Sequence, residues 1–279
     1  MGTFDVLKPD EIEQAIEAAG IKKTGMPPGK MIILGILAGV FIGIGGLMLG
    51  LVLSETELPF IVARILGGVS FCVGLLLVVA AGAELFTGNN LIIMAVLSRK
   101  VTWKAYAKNL TIILLCNFIG ALIAVAILFL ADVGSINGGA TADAFIKLAA
   151  AKVSIPPLTL FFKAVFCNFM VCLAIWLATA GRSLFDKLIG ILFPITTFIV
   201  AGGEHSIANM FLIPMGFIQA YAGNATSELA IAAGEAISIG GIFYNFGLAI
   251  LGNLVGGAVM VGVVYWFAFH KKGEKGEGE

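Results

Sequence analysis

Two acidic residues and a histidine interrupt long apolar stretches of this chain, at positions that match between its two halves. Residues 82–89 read Gly-Ala-Glu-Leu-Phe-Thr-Gly-Asn, and residues 202–209 read Gly-Gly-Glu-His-Ser-Ile-Ala-Asn. The acids Glu84 and Glu204 fall in register, and His205 follows the second of them. An ionisable residue at membrane depth is costly and by default marks a functional site. Two matched interruptions in corresponding halves are the best sequence indication of a transport site near the bilayer midplane.

The composition indicates a membrane protein. Of the 279 residues, 59% are hydrophobic and 12% are charged, whereas soluble domains carry about 25% charged residues. The 36 glycines suit helices that pack closely in lipid. The formal net charge is zero, which gives no indication of a nucleic-acid partner. The four cysteines fall inside apolar runs without a Cys-x-x-Cys pair, so neither a metal site nor a cofactor is predicted.

Apolar runs of about 20 residues or more predict membrane-spanning helices. Six such runs follow one another: Met31 to Leu53, Ile65 to Leu97, Leu110 to Ala131, Leu158 to Ala180, Leu188 to Ile218, and Gly241 to Phe269. The second is interrupted at Glu84 and the fifth at 204–206. Each of these two is too long for one crossing and too short for two crossings plus a turn. The sequence therefore predicts an all-α membrane protein whose spans 2 and 5 are broken helices.

A second similarity supports an internal repeat. Residues 115–121 in span 3 resemble residues 251–257 in span 6, and each segment contains an asparagine, Asn117 or Asn253. These asparagines are expected to hydrogen-bond between helices. Two halves with an odd number of spans must insert with opposite orientations, which is the inverted-repeat plan of many transporters.

The polar ends complete the predicted organisation: a cytoplasmic amphipathic segment (1–30), a six-span channel domain (31–269, with halves of about 31–131 and 158–269) and a cytoplasmic tail (270–279). Thirteen lysines and arginines fall on the side of the termini and four on the other. The positive-inside rule therefore places both termini in the cytoplasm. The first 30 residues lack the apolar core of a signal peptide. They are interpreted as a surface helix on the bilayer, with a gating segment as the alternative.

The broken spans predict a site for an anion. The second half-helices are expected to begin near Asn89 and Asn209, and a helix N-terminus carries a partial positive charge and free amide donors. In an inverted repeat both positive ends point toward the midplane. Thr87 lies in one loop and His205 in the other, so the centre would suit a small anion.

Several motifs resemble those of a known family. Residues 82–88, 163–174, 181–187 and 204–216 are similar to signatures of the formate/nitrite transporter family, in particular its formate-channel branch. The resemblance covers nearly the whole chain. It implies an aquaporin-like protomer, a homopentamer in the inner membrane with one pore per protomer, and passage of formate, nitrite, hydrosulfide or similar monovalent anions.

The resemblance also implies roles for individual residues. His205 would meet the permeating anion, Thr87 would hydrogen-bond to His205, Asn168 would be a polar pore residue, and Lys152 would draw anions inward. Four residues would form apolar constrictions: Phe71, Leu75, Leu85 and Phe198. Gly203 departs from the pattern, since many relatives carry an aromatic residue there. The resemblance therefore does not determine the pore width near His205.

The residues themselves leave alternatives. His205 either lends a proton to the anion or stays neutral and only donates a hydrogen bond. Glu84 and Glu204 are either proton carriers or, as we favour, acceptors for loop amides that hold the half-helices. Asn89 and Asn209 are interpreted as helix caps rather than as substrate contacts.

Two other classes of protein fit less well. A membrane enzyme or haem protein would need a nucleophile with a base or paired axial ligands, and neither pattern is present. A neutral-solute pore gives no reason for His205 or Lys152, and the Asn-Pro-Ala pair of aquaporins is absent. The prediction is a channel, not an enzyme, for small monovalent anions. Formate is the first choice, and nitrite and hydrosulfide are the alternatives.

Overall fold

The structure, a computed structural model, describes residues 6–270, and within that range it is helical without strands. The helices are α1 Pro9–Thr24, α2 Pro28–Leu53, α3 Phe60–Ala81, α4 Phe86–Asn89, α5 Ile93–Leu97, α6 Trp103–Leu130, α7 Ala140–Val153, α8 Pro157–Ala180, α9 Leu184–Val200, α10 Ser206–Tyr221, α11 Glu228–Glu235, α12 Ile239–Leu254 and α13 Val264–Phe269. A 3₁₀ turn joins α4 to α5, and a π-helical segment joins α12 to α13. Residues 271–279 of the predicted tail lie outside the described range.

The predicted all-α architecture with two broken spans is confirmed. In the described range, five helices are long and apolar enough to cross a membrane: α2, α3, α6, α8 and the continuous segment Ile239–Phe269. Shorter apolar helices follow the two breaks, at Phe86–Leu97 and Ser206–Tyr221. The broken span 2 is unequal, because its first part, α3, is already 22 residues long.

Some helices extend beyond the predicted runs. The third span was expected from Leu110, but α6 begins at Trp103, where the Thr102 side chain caps it by accepting from the Ala105 amide. Likewise α3 begins at Phe60 instead of Ile65. A charged residue that ends an uncharged run therefore does not end the helix, which continues beyond that run.

Close backbone contacts join the spans of each half. A Cβ atom added at Gly120 of α6 would lie 2.0 Å from the Ile36 carbonyl of α2. A Cβ atom added at Gly256 in the last span would lie 2.0 Å from the Val165 carbonyl of α8. Only glycine permits these two approaches. Gly120 and Gly256 occupy the same place in the repeated segments 115–121 and 251–257, so the repeat extends to the packing.

The α1 helix packs on the helical body. Ile12 and Ile16 are buried in a cluster with residues of α5, α8 and the last span. On the same face, Lys100 pairs with Glu17, and His270 Nδ1 lies 3.3 Å from Glu13 Oε1. The expectation of a helix lying on the bilayer is therefore wrong, because the apolar stripe of α1 is covered by protein.

Candidate functional site

Each break begins at a glycine with a left-handed backbone. Gly82 has φ +75° and Gly202 has φ +73°, a backbone conformation that residues other than glycine rarely adopt. The chain then leaves the helix direction, and the amide of the loop glutamate bonds to a neighbouring span. Glu84 N donates to α2 over 3.1 Å, and Glu204 N donates to α8 over 3.2 Å. The two loops thus have the same local construction.

One asparagine holds each loop through three hydrogen bonds. Asn117 Oδ1 accepts from Phe86 N, and Asn253 Oδ1 accepts from Ser206 N, both at 2.8 Å. Their Nδ2 groups donate to the carbonyl of the loop glutamate, at 2.9 and 3.0 Å, and to a carbonyl of the adjacent span. Buried backbone groups need such partners in the absence of water. The expected interhelical role of both asparagines is confirmed.

His205 is both a helix cap and the contact between the loops. Its Nδ1 accepts from Ala208 N over 3.0 Å, and its Nε2 lies 3.0 Å from Thr87 Oγ1. Both side chains are buried. A nitrogen that accepts a hydrogen bond carries no proton, so this geometry assigns the neutral tautomer with the proton on Nε2. His205 then donates to the Thr87 oxygen, whose own proton is left to donate elsewhere.

The half-helices begin three residues earlier than predicted. They start at Phe86 and Ser206, and Asn89 and Asn209 do not cap them. Instead Asn89 Nδ2 donates to Glu84 Oε2 over 2.8 Å, and Asn209 Nδ2 donates to the Glu204 Oε2 over 2.7 Å. The interpretation of these asparagines as caps is wrong, because a side chain one turn inside a helix reaches back toward the loop.

Each loop carboxylate also pairs with a lysine. Lys152 Nζ lies 2.9 Å from Glu204 Oε1. Lys23 Nζ lies 3.0 Å from both oxygens of Glu84 and 2.8 Å from Asn89 Oδ1. The glutamates were expected to accept from loop amides. Side-chain donors occupy them instead, since the nearby backbone amides already bond to the neighbouring spans.

Two cavities approach the Thr87–His205 contact. The first-loop cavity, about 590 Å³, is lined by Lys23, Glu84 and Leu85 together with residues of α1 and α3. The second-loop cavity, about 180 Å³, is lined by Lys152, Glu204 and His205, by Phe71 and Phe198, and by Arg64 and Lys163. Lys163 of α8 thus lines the second-loop cavity beside Lys152.

Three of the four predicted constriction residues line these cavities. The rings of Phe71 and Phe198 meet edge to face with centroids 5.9 Å apart, and Phe198 stacks on His205 at 6.2 Å. Leu85 lines the first-loop cavity. Leu75 is 2% exposed and lines neither cavity. Leu85 thus lines one cavity, and Phe71 and Phe198 line the other, beside His205.

Comparison with known proteins identifies the fold and the family. A profile of the formate/nitrite transporter family matches residues 10–267. The chain belongs to this family. It is 39% identical over 267 residues to the uncharacterized transporter YrhG of Bacillus subtilis, with 95% of this chain and 94% of the relative covered. It is 34% identical to the formate channel FocA of Escherichia coli, with 97% of each chain covered. Among solved structures, a pentameric formate channel with formate bound matches with a TM-score of 0.76 and 32% identity, covering 88% of this chain and 98% of that one.

Within this formate/nitrite transporter fold, Asn168 and Gly203 lie in surroundings that differ from those implied by the resemblance. Asn168 is fully buried and donates to the carbonyls of Asn253 and Thr87, at 2.7 and 3.3 Å, so it lines neither cavity. At Gly203, an added Cβ atom would lie 3.1 Å from Cys167 Cβ and 3.2 Å from the Phe198 carbonyl. The departure at Gly203 therefore leaves little room for a larger side chain, although Gly203 itself lines the second-loop cavity.

Lys23 is the site residue that sequence reasoning missed. It ends α1, as Lys152 ends α7, and each lysine carbonyl accepts from an asparagine side chain, Asn109 or Asn245. The inverted repeat thus includes α1 and α7 as well as the spans. The signal was present in the sequence, because both lysines begin a Lys-x-x-x-Pro-Pro segment, at 23–28 and 152–157.

Proposed function

We propose that this protein is a formate channel that works as a homopentamer in the cytoplasmic membrane, with one pore in each protomer and both termini in the cytoplasm. The observation that carries the proposal is the buried Thr87–His205 contact at 3.0 Å, which joins the two loops, each of which also lines a cavity that contains a lysine. The similarity to FocA and to the formate-bound pentamer supports formate and the assembly. The distribution of lysines and arginines supports the orientation.

The arrangement addresses the main obstacle to anion passage. A charged group loses its hydration in an apolar constriction, and this is costly unless other donors replace the water. Lys23 and Lys152, although each is paired with a glutamate, place an ammonium group in each of the two cavities, and the N-terminus of α10 adds its partial positive charge. Where no lysine reaches, the Thr87 hydroxyl donates to the anion, and the His205 Nε2–H group exchanges its bond to the Thr87 oxygen for one to the anion.

For His205 we propose the role of a neutral hydrogen-bond donor. Its Nδ1 is committed to the Ala208 amide, and a proton at Nδ1 would replace this attraction by a clash of two donors. Formate therefore passes as an anion held by Thr87 and His205, and uptake follows the membrane potential as well as the concentration gradient. If His205 instead gives its proton away with formate and is reprotonated from the side of entry, formic acid crosses in net terms, and uptake becomes insensitive to the membrane potential.

The proposal is tested by formate uptake into proteoliposomes containing the purified protein. Saturable uptake above that of protein-free vesicles, with a response to an imposed potential, supports a formate channel with a neutral His205. Uptake that ignores the potential and follows the pH gradient would support transfer of a proton together with formate. If nitrite or hydrosulfide passes and formate does not, the substrate is wrong and the channel remains.

A further inference from the structure

Two cations of the second-loop cavity have no part in the function proposed above. Arg64 of α3 and Lys163 of α8 line the same cavity as Lys152 and His205. A Cβ atom added at Gly202 would lie 3.4 Å from Arg64 Nη2 and 3.6 Å from Lys163 Nζ. Both cationic groups therefore approach a single point beside the second loop, and the glycine leaves that point open.

No acid neutralises this pair in the part of the chain that the structure describes. Within residues 6–270, neither Arg64 nor Lys163 has an ion pair or a side-chain hydrogen bond. The one carboxylate among the described residues that line the cavity is Glu204. Its two oxygens are already bonded, one to Lys152 and the other to Asn209. Two like charges held together without a counter-charge favour an anion between them.

The setting of Arg64 gives a second, independent indication. Its Nε atom is buried and has no hydrogen-bond partner among the described residues. The guanidinium carbon lies 5.5 Å from the centre of the Phe60 ring, which holds the planar group in place without using its donors. A buried donor without a partner is unfavourable, so the arginine is prepared for an acceptor that arrives from outside the protein.

We propose that Arg64 and Lys163 form a second anion-binding site at the mouth of the second-loop cavity, which takes a carboxylate before it reaches Lys152 and His205. The planar fork of arginine matches the two oxygens of a carboxylate, and lysine adds a third donor. The inference rests on the proposed function, because it assumes that the ligand of this cavity is a carboxylate anion. It adds a capture step that precedes passage through the barrier.

The site has a direct binding test that does not depend on transport. The probe is radiolabelled oxalate, whose two carboxylates can each meet one of the two cations, and binding to the purified full-length protein is measured by scintillation proximity. Arg64→Gln and Lys163→Gln are each expected to weaken oxalate binding about tenfold, because each removes a charged donor. Arg64→Lys keeps the charge and loses the fork, so its affinity is expected to fall between those of wild type and Arg64→Gln.

Lys147→Gln is the matched control. It removes the same charge from an exposed position on α7 that does not line the cavity, and it should bind oxalate as the wild type does. Size-exclusion profiles show whether each variant has folded, and Arg64→Lys tests the site if Arg64→Gln does not fold. Absence of oxalate binding by the wild type, or equal binding by all variants, overturns the site.

Formate uptake then tests the capture step. Arg64→Gln and Lys163→Gln are expected to raise the formate concentration that gives half-maximal uptake, the KM, severalfold. The maximal uptake rate should stay near the wild-type value, since the barrier itself is intact. Unchanged KM values would overturn the capture step. If the wild type binds oxalate at Arg64 and Lys163 but takes up no formate, the proposed function fails and the anion site stands, so the two failures are distinguishable.

Discussion

The two loops share one construction but differ in how completely their polar groups are satisfied. In the first loop, Lys23 bonds to both oxygens of Glu84 and to Asn89 Oδ1. In the second, Lys152 reaches one oxygen of its glutamate, and Asn209 Oδ1 is buried without a partner in the described range. The first loop thus fully occupies the carboxylate of Glu84 and the Oδ1 of Asn89, although Asn90 Oδ1 just after it is also buried without a partner in the described range, whereas the second loop leaves Asn209 Oδ1 unused. We infer that the second loop takes the larger part in handling the anion, while the first also holds α1 in place.

The two loops also differ in the residue that precedes each half-helix, which is apolar in the first loop and polar in the second. Leu85 precedes the first and offers no side-chain cap, whereas His205 precedes the second and caps it through Nδ1. Thr87 in the first loop corresponds to Ile207 in the second. The polar contact at the centre therefore combines one residue from each copy, so neither half could form the site alone.

The largest expected effect comes from replacing the asparagine that holds each loop. Asn253→Ala removes the side-chain partner of the Ser206 amide and of the Glu204 carbonyl, and Asn117→Ala does the same for Phe86 and Glu84 in the first loop. Each lost bond in a dry interior costs about 1–3 kcal/mol, so both variants should lose thermal stability strongly and to a similar degree. Thermal denaturation in detergent measures this. Asn224→Ala is the control, since the exposed Asn224 makes one side-chain bond. A stable Asn253→Ala protein would contradict the bracing role.

A second prediction isolates the contact between the loops. Asparagine is a good N-cap, so His205→Asn should keep the bond to the Ala208 amide and lose the one to Thr87. The variant is expected to assemble normally and to lose about tenfold in formate flux, the effect of one missing hydrogen bond to a charged group. Proteoliposome uptake from pH 5 to 8 measures the flux. A wild-type rate and pH profile in His205→Asn would exclude a role for His205 in passage.

The asymmetry between the lysines predicts unequal losses. Lys152→Gln removes the charge beside His205, whereas Lys23→Gln mainly removes a support of α1. Formate flux should therefore fall several times more in Lys152→Gln, while α1 should exchange amide hydrogens faster in Lys23→Gln only. Uptake assays and hydrogen exchange of residues 9–24 give the two readouts. Equal flux losses in the two variants would show that both loops handle the anion alike.

The apolar barrier gives a selectivity prediction with a close control. Phe198→Ala removes a ring that contacts Phe71 and His205, so carboxylates larger than formate, such as acetate and lactate, should pass faster. Phe211→Ala removes an equally buried ring that pairs edge to face with Phe145 and lines neither cavity. Both should lose about 3–5 kcal/mol of stability, but the change in selectivity should be confined to Phe198→Ala. Equal acetate permeability in both would remove Phe198 from the barrier.

The sequence predicted the parts of this site that depend on local pattern. The apolar runs located both breaks, and the family resemblance assigned Thr87, His205 and Lys152. Lys23 was missed because it lies in a polar segment 61 residues before its partner Glu84, and the Lys-x-x-x-Pro-Pro segment that it shares with Lys152 does not by itself indicate which acid it pairs with. The proximity of Arg64 to Lys163 likewise depends on how α3 packs beside α8. The caps were misplaced at Asn89 and Asn209 because an Asn in a loop motif resembles a cap until the helix start is known.

The smallest expected effect concerns the docking of α1, which completes the first loop. Burial raises the pKa of Glu13 above its ordinary value, and the charge of Glu17 raises it further, although the His270 hydrogen bond lowers it. A raised pKa means that docked α1 holds this proton more tightly than undocked α1. The contribution of Glu13 to docking is therefore complete below about pH 4.5 and is lost as the pH rises through the raised pKa.

Glu13→Gln removes that loss, because an amide stays neutral at every pH and can still contact His270. At pH 7 the variant should slow hydrogen exchange across residues 9–24 modestly, and the gain should vanish below pH 4.5. Glu57→Gln, at an exposed acid far from α1, should change nothing. Faster exchange of α1 in Glu13→Gln at pH 7 would mean that the ionised Glu13 stabilises the helix through His270.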